Sequence, residues 1–487
     1  MMGVHQSQKE LFVYRVDLDQ RIPPDHVLRQ IQALVDFSFV RAAVADKYGS
    51  NGNESIDPVI ILKLMFLLFF DDVASERELM RTLPYRLDYL WFLGYGLDHE
   101  VPNHSVLSKA RARWGVELFE NLFVRVVGQC VQAGLVEGKK IHMDGSLIQA
   151  NASTNSVIKG PPELITALRQ AYHAEERKLD DGGNLGSPRY EAVNDRALST
   201  TDPDSTLVRR NGESRPRYKN HRVVDDAKGV ITAVKTTTGD VKENGELMTM
   251  VEQHEIHTGV AVEIVVADTQ YGTTENFRAC HERGIRSHMA DFQASQLGTG
   301  RREGIFTESD FQYDADSDTY TCPAGQILTR RKHKQRRQAY EYAASASVCR
   351  VCSLRAQCTR ANGVARSIKR HIGHEAIELA RAQSHSEATR RDRIRRKWLM
   401  EGSFADAANN HGFKRARWRR LWRQKIQDYL IATVQNIRIL LNNGVEKPEY
   451  SPEQTGQISS TSHKSIYVSY LILKSGSGEL LGAYALN

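Results

Sequence analysis

The sequence predicts an α/β protein, a mixed sheet with flanking helices, preceded by an all-helical region and interrupted by a small Cys-rich insert. Three observations predict it. Apolar residues recur at helical spacing between residues 20 and 134; short strands alternate with helices from Lys139 onward; and a basic stretch with four cysteines stands between the last of these strands and a final helical pattern.

In the first region, Asp57-Pro58 starts a helix with proline in its first turn, and Val59 to Phe70 is its buried length. Ser75-Glu76-Arg77-Glu78 fits a capping box. One longer helix is expected after Pro102, with Leu107, Ala110, Trp114, Leu118, Leu122 and Val126 on its inner side and Gly134 at its end. Lys-Lys-Ile-His-Met-Asp-Gly-Ser from Lys139 reads as a short strand ending in an acid and a glycine, and residues 150 to 216, polar and rich in Gly, Pro, Asp and Ser, as a long insertion or mobile loop. His221 to Asp226 and Val230 to Thr236 form a hairpin turning at Gly229. A helix over Glu246 to His257, a strand over Val262 to Ala267, a helix over Thr274 to Arg283 and a strand near Ser287 to Ala290 follow. After the insert, Trp422, Ile426, Tyr429, Leu430, Val434, Ile437 and Leu441 make one apolar stripe. The expected divisions are 1–134 (helical), 135–294 with 376–443 (the mixed sheet), 295–375 (the insert) and 444–487 (a tail).

Composition excludes several classes. A chain of 487 residues with 40% apolar and 26% charged residues can bury its own core, and six cysteines are too few for a disulfide scaffold. The longest apolar run, 12 residues, already contains Lys63 and is too short to cross a bilayer. The first residues lack the pattern of a signal peptide, so a cytoplasmic protein is expected. The net charge of +7 hides an asymmetry: Arg330 to Lys425 holds 26 Lys and Arg against 7 Asp and Glu, net +19, while the other 391 residues carry 40 against 52, net −12. A field so concentrated, with aromatic residues interleaved, points to a nucleic-acid surface; the alternative is a solvated Arg-rich face.

Asp144 and Asp268 each close a strand of the mixed sheet, and such sheets carry functional groups at the carboxyl ends of their strands. Two carboxylates held close call for a cation between them, and Mg²⁺ suits hard oxygen ligands while leaving positions open for phosphate and water. Read alone, Asp-Gly after a strand is equally an ordinary turn. Glu401 stands amid strong positive charge just before the Trp-rich basic helix, either as an ion-pair partner of Arg395 or Lys397 or as a third metal ligand beside a DNA channel. Cys322, Cys349, Cys352 and Cys358 form a C-x₂₆-C-x₂-C-x₅-C pattern that suits a structural Zn²⁺, the alternative being reduced thiols without metal. His142 reads as a core histidine, Trp422 as core, and Trp418 as a residue able to stack on a base.

The stretches IPPDHVLRQI, IDPVIILKLMFLLFF, HMDGSLIQANAS, STTDPDSTL, RYKNHRVVDD, VVADTQYGTTEN and EGSFADAANNHGFKRARW occur in this order and span most of residues 20 to 442. In them the chain resembles bacterial insertion-sequence transposases of the Asp-Asp-Glu type, which have a ribonuclease-H-like catalytic domain, an InsH-like N-terminal domain and a Cys-box insert. The resemblance implies Asp144 and Asp268 as the two aspartates and Glu401 as the glutamate, together holding Mg²⁺ or Mn²⁺ for phosphodiester hydrolysis and strand transfer. It also implies double-stranded DNA as partner, both as terminal inverted repeats and as target, and a homodimer or higher oligomer in the DNA complex. Related groups carry Tyr, Arg and Lys seven before, four before and seven after the glutamate; here Ile394, Lys397 and Ala408 stand there. The basic role then either stays with Lys397 or passes to Lys414 and Arg415, and Lys397, Lys414, Arg415, Arg417, Arg419 and Arg420 are expected to bind DNA. Two rival readings share the same residues: a metal-dependent nuclease that does not join strands, and an inactive remnant that binds DNA as a repressor.

Overall fold

The computed structural model describes residues 16–49, 55–179, 192–291, 304–335, 338–361 and 364–443, and the structural statements below concern these. The expected tail, 444–487, lies outside them.

The N-terminal part is helical as expected: α1 (Leu18–Arg21), α2 (Val27–Leu34), α3 (Phe39–Val44), α4 (Pro58–Phe70), α5 (Glu76–Thr82), α6 (Leu87–Leu93), α7 (Ser105–Trp114) and α8 (Glu117–Gln132). Asp57 caps α4 through the Val59 amide, and Ser75 caps α5 through that of Glu78. Apolar side chains surround α4, so it is buried on all sides; Phe66 packs edge-on to Phe37 and stacks with Phe70. Lys63 stays within this core because its ammonium donates to Gln32 Oε1 and to the Phe92 carbonyl, each at 2.6 Å. The single helix expected after Pro102 is two. Gly115 (φ +77°) sits in a conformation that L side chains rarely adopt and breaks the helix between α7 and α8, although the six predicted inner residues are all buried.

The first sheet starts with β1 (Lys140–Gln149), β2 (Val157–Lys159) and β3 (Ala197–Ser199) being a small separate ribbon. Helix α9 (Pro162–Leu179) lies between them. β4 (Thr206–Arg210), β5 (Glu213–Asp225), β6 (Ile231–Thr238), β7 (Ile264–Val266) and β8 (Arg286–His288) complete the sheet, with α10 (Leu247–Thr258) and α11 (Thr274–Glu282) in the crossovers. Its order is β4-β5-β1-β7-β8, with β6 also on β5. β1, β5 and β6 run antiparallel in succession, and β7 and β8 then add parallel to β1. That order is ribonuclease-H-like.

Two expectations are corrected here. Of the two readings of 150–216, the described residues fit an insertion and not a loop: it holds β2, α9, β3 and β4, because Ile165 and Leu198 supply a buried anchor within a polar composition. β1 does not stop at its acid but runs on to Gln149, since β5 pairs with it throughout; Asp144 faces Arg222 in mid-strand.

The expected insert contains an antiparallel meander of β9 (Gln312–Asp314), β10 (Thr319–Thr321), β11 (Ile327–Lys334), β12 (Ala339–Ala343) and β13 (Ser367–His371), with α12 (Ala346–Arg350) and α13 (Arg355–Cys358) before the last strand. Tyr320, Tyr342, Leu328 and Ile368 form its core. The chain returns through α14 (His374–Ser384), α15 (Glu387–Asn410) and α16 (Leu421–Asn442). One sheet face packs Ile141, Met143 and Val223 against Leu247, Val251 and Phe277 of α10 and α11. The other carries His142 and Asp144 by strand alternation and meets α15. Among the described residues no helix is long and apolar enough to cross a membrane.

Candidate active site

β7 pairs with β1 only as far as His142, opposite Val266. Asp144 therefore lies just beyond the parallel partner, where β1 opens a crevice. Asp268 follows β7 by two residues and is held in place by accepting from the Gln270 amide (2.8 Å). The third acid is Glu243, in the short turn (Glu243–Glu246) between β6 and α10. Oxygen atoms of Asp144, Glu243 and Asp268 all lie within 4.8 Å of one another.

Burial raises the Asp144 carboxyl above the usual carboxylate range, and the Arg396 guanidinium, 2.7 Å away, opposes that rise. Burial also raises Glu243; Lys219 at 3.4 Å opposes the rise, and the charges of Asp144 and Asp268 add to it. Tyr271 is fully buried, its phenol held well above the usual range by burial and by the same three carboxylates, and its hydroxyl has no hydrogen-bond partner.

Of the residues singled out from sequence, Asp144 and Asp268 are brought together. Glu401 is not in their group: it is exposed on α15, one position beyond Met400, which faces the core. Glu243 went unnoticed in the sequence because an acid at a helix start is what the helix dipole favours anyway, and nothing local separates it from Glu246.

The basic residues divide. Lys397, Arg415 and Arg419 are exposed, and the Lys414 ammonium donates to Ser146 Oγ (2.8 Å). Arg415 and Arg419, with Arg215, Gln149, Asn151 and Thr201, line a polar cleft of about 430 Å³ at the far end of β1. Arg417 instead pairs with Asp72 and lies over Phe69, while Arg420 donates to the Thr201 carbonyl and covers Tyr172; both are committed within the protein. Trp418 is half-buried, donating to Glu76 with the Arg111 guanidinium over its ring. Trp422 is buried, and His142 is a buried histidine paired with Asp226 at 2.7 Å.

Cys322, Cys349, Cys352 and Cys358 line one cavity of about 40 Å³ and form no disulfide. Burial and then the neighbouring thiols push Cys349 up.

The family described as "Transposase domain (DUF772)" matches residues 16–113, and that described as "Transposase DDE domain" matches residues 321–441. Together these two matches support a transposase of the DDE type. No curated protein matches it. Among solved structures, the piggyBac transposase synaptic complex with hairpin DNA aligns over 92% of this chain and 81% of that chain, at 10% identity and TM-score 0.35. The Mos1 transposase paired-end complex with left transposon end aligns over 51% and 64%, at 11% identity and TM-score 0.16.

Proposed function

We propose that this DNA transposase cleaves the ends of its insertion sequence and transfers the freed strand to target DNA. The convergence of Asp144, Glu243 and Asp268 beside the central strand β1 and the carboxyl end of β7 in a ribonuclease-H-like sheet carries this reading. Three carboxylates in mutual reach, two of them raised by burial, suit Mg²⁺ or Mn²⁺ as hard oxygen donors. Asp144 and Asp268 are the aspartates that would hold it. Bound there, a divalent cation supplies the activation of water or of a 3′-hydroxyl and stabilises the leaving oxygen of the phosphodiester. Glu401 is assigned to the DNA-bound state: it shares α15 with Arg396, so a movement that withdraws Arg396 from Asp144 also shifts Glu401 relative to the acids.

Exposed Lys397, Arg415 and Arg419 hold backbone phosphate, Arg415 and Arg419 with Arg215 in a cleft that no carboxylate lines. Binding on this basis weakens steeply with salt. The four thiols suit a structural zinc by donor type and line one cavity, although no three of their sulfurs lie within 4.8 Å of one another, so zinc would draw them together; such a site organises the insert without entering the chemistry. Two copies of the chain would pair the two ends of the element.

The experiment is incubation of DNA carrying the element's own ends with Mg²⁺ and either wild-type protein or Asp268→Ala. Site-specific nicking by the first and none by the second is expected. Binding without nicking by the wild type overturns the cutting reading and leaves a DNA-binding remnant.

A further inference from the structure

Glu243 is set apart from the other acids near the sheet by what surrounds it. Its carboxylate reaches both aspartates, whereas Glu246, in the same turn, pairs with Lys235 at 2.6 Å. The strand makes room for it: a Cβ at Gly145 would stand 2.7 Å from Glu243 Cδ and 2.8 Å from Oε1. Any side chain at 145 would therefore crowd that carboxylate, so the glycine, which continues the strand, leaves room for Glu243. Lys219 holds the far side of Glu243.

The second observation is Tyr271. It is fully buried, its hydroxyl has no hydrogen-bond partner, and it lies within the field of all three carboxylates. Buried hydroxyls are normally paired, and one left unpaired near a set of carboxylates is available to a group bound among them, an ion's water included.

We infer that Glu243 is a ligand of the divalent cation, sharing it with Asp144 and Asp268 in the DNA-free protein. The inference rests on the reading of these acids as a metal site. It gives the site three carboxylates from the sheet and its adjoining turns, before any contribution from α15.

The test is Mn²⁺ binding by calorimetry to the full chain without DNA. The variants are Glu243→Gln, Gly145→Ala, Glu401→Gln and Asp268→Asn. Glu243→Gln keeps the side-chain size, and Gly145→Ala keeps every carboxylate, so a fold defect in one variant is exposed by the other. Weakening by about tenfold or more is expected for Glu243→Gln, Gly145→Ala and Asp268→Asn, with Glu401→Gln within about twofold of wild type. Wild-type binding by Glu243→Gln and Gly145→Ala, with loss in Asp268→Asn, overturns the assignment of Glu243 and leaves the metal site standing. Unchanged binding in all four overturns the metal site itself, and this inference with it.

Discussion

Arg396 Nη1 lies 2.7 Å from Asp144 Oδ2, which joins α15 to the centre of the acidic cluster. Their side chains are 16% and 25% exposed, so solvent screens the pair only partly. Three carboxylates in mutual reach repel one another, and this guanidinium offsets that repulsion from one side. A divalent cation at the acids would compete with it.

Replacing Arg396 therefore costs more without metal than with it. Arg396→Ala is expected to lower unfolding free energy by about 2 kcal/mol in EDTA, since it leaves a largely buried carboxylate uncompensated. Saturating Mg²⁺ should recover most of that loss. Urea unfolding in both conditions measures it; equal losses with and without Mg²⁺ would contradict the competition.

Arg222, directly opposite Asp144 on β5, is fully buried and donates to Ser403 Oγ (2.7 Å) and Gln435 Oε1 (2.9 Å). It also lies over Phe404 and Phe413. It thus pins α15 and α16 to the sheet near the acids, and its charge lies close to buried Asp428, which burial pushes up to about 6. Arg222→Ala should cost about 3–5 kcal/mol, because it leaves a cavity and unpaired buried partners. Arg222→Lys should recover little, lacking the planar fork. Denaturant midpoints decide this, and a loss below about 1 kcal/mol for the alanine variant would show that the helices dock without it.

His254 is expected to make stability fall on mild acidification. Its Nδ1 meets the Thr232 hydroxyl at 2.6 Å and its Nε2 the Gly138 carbonyl at 2.9 Å, which assigns the neutral ring with hydrogen on Nε2. Burial lowers its pKa from 6.5 to about 4. Between these values the unfolded chain binds more protons than the folded one, so stability rises with pH across the window and is lost as pH falls through it. The full contribution is on the order of 3 kcal/mol. His254→Gln should be less stable than wild type at pH 7, with the gap narrowing towards pH 4.5; a gap independent of pH would show that the ring does not titrate in this way.

Metal analysis of purified protein should find about one zinc per chain, lost on Cys349→Ser and Cys352→Ser. Chelation should loosen the insert, seen as faster amide exchange in β10 to β12, while β1 and β5 stay protected. Retention of zinc by the double variant would remove these thiols as its ligands.

Much of the fold is legible in the sequence because its signals are local. Asp57-Pro58, the period of α16 and the hairpin at Gly229 each depend on neighbours a few residues apart. Local signals also mislead in particular places. Gly145 suggests a turn after Asp144, yet its backbone continues the strand, because the pairing that decides this comes from β5. The basic run after Phe413 reads as one DNA-facing surface, yet Arg417, Trp418 and Arg420 turn inward because acids and aromatic rings from Phe69 to Asp202 receive them.

By itself, then, the sequence determined the mixed α/β class, the helical N-terminal region, the four cysteines of the insert and two aspartates worth pairing, since periodicity, caps and motif spacing are properties of short segments. Only the tertiary structure decided which acid joins those aspartates, which basic residues stay in solvent and where the strand carrying Asp144 ends. Those outcomes depend on burial and on charges brought together from distant parts of the chain, as Glu243 is brought to Gly145 and Arg396 to Asp144.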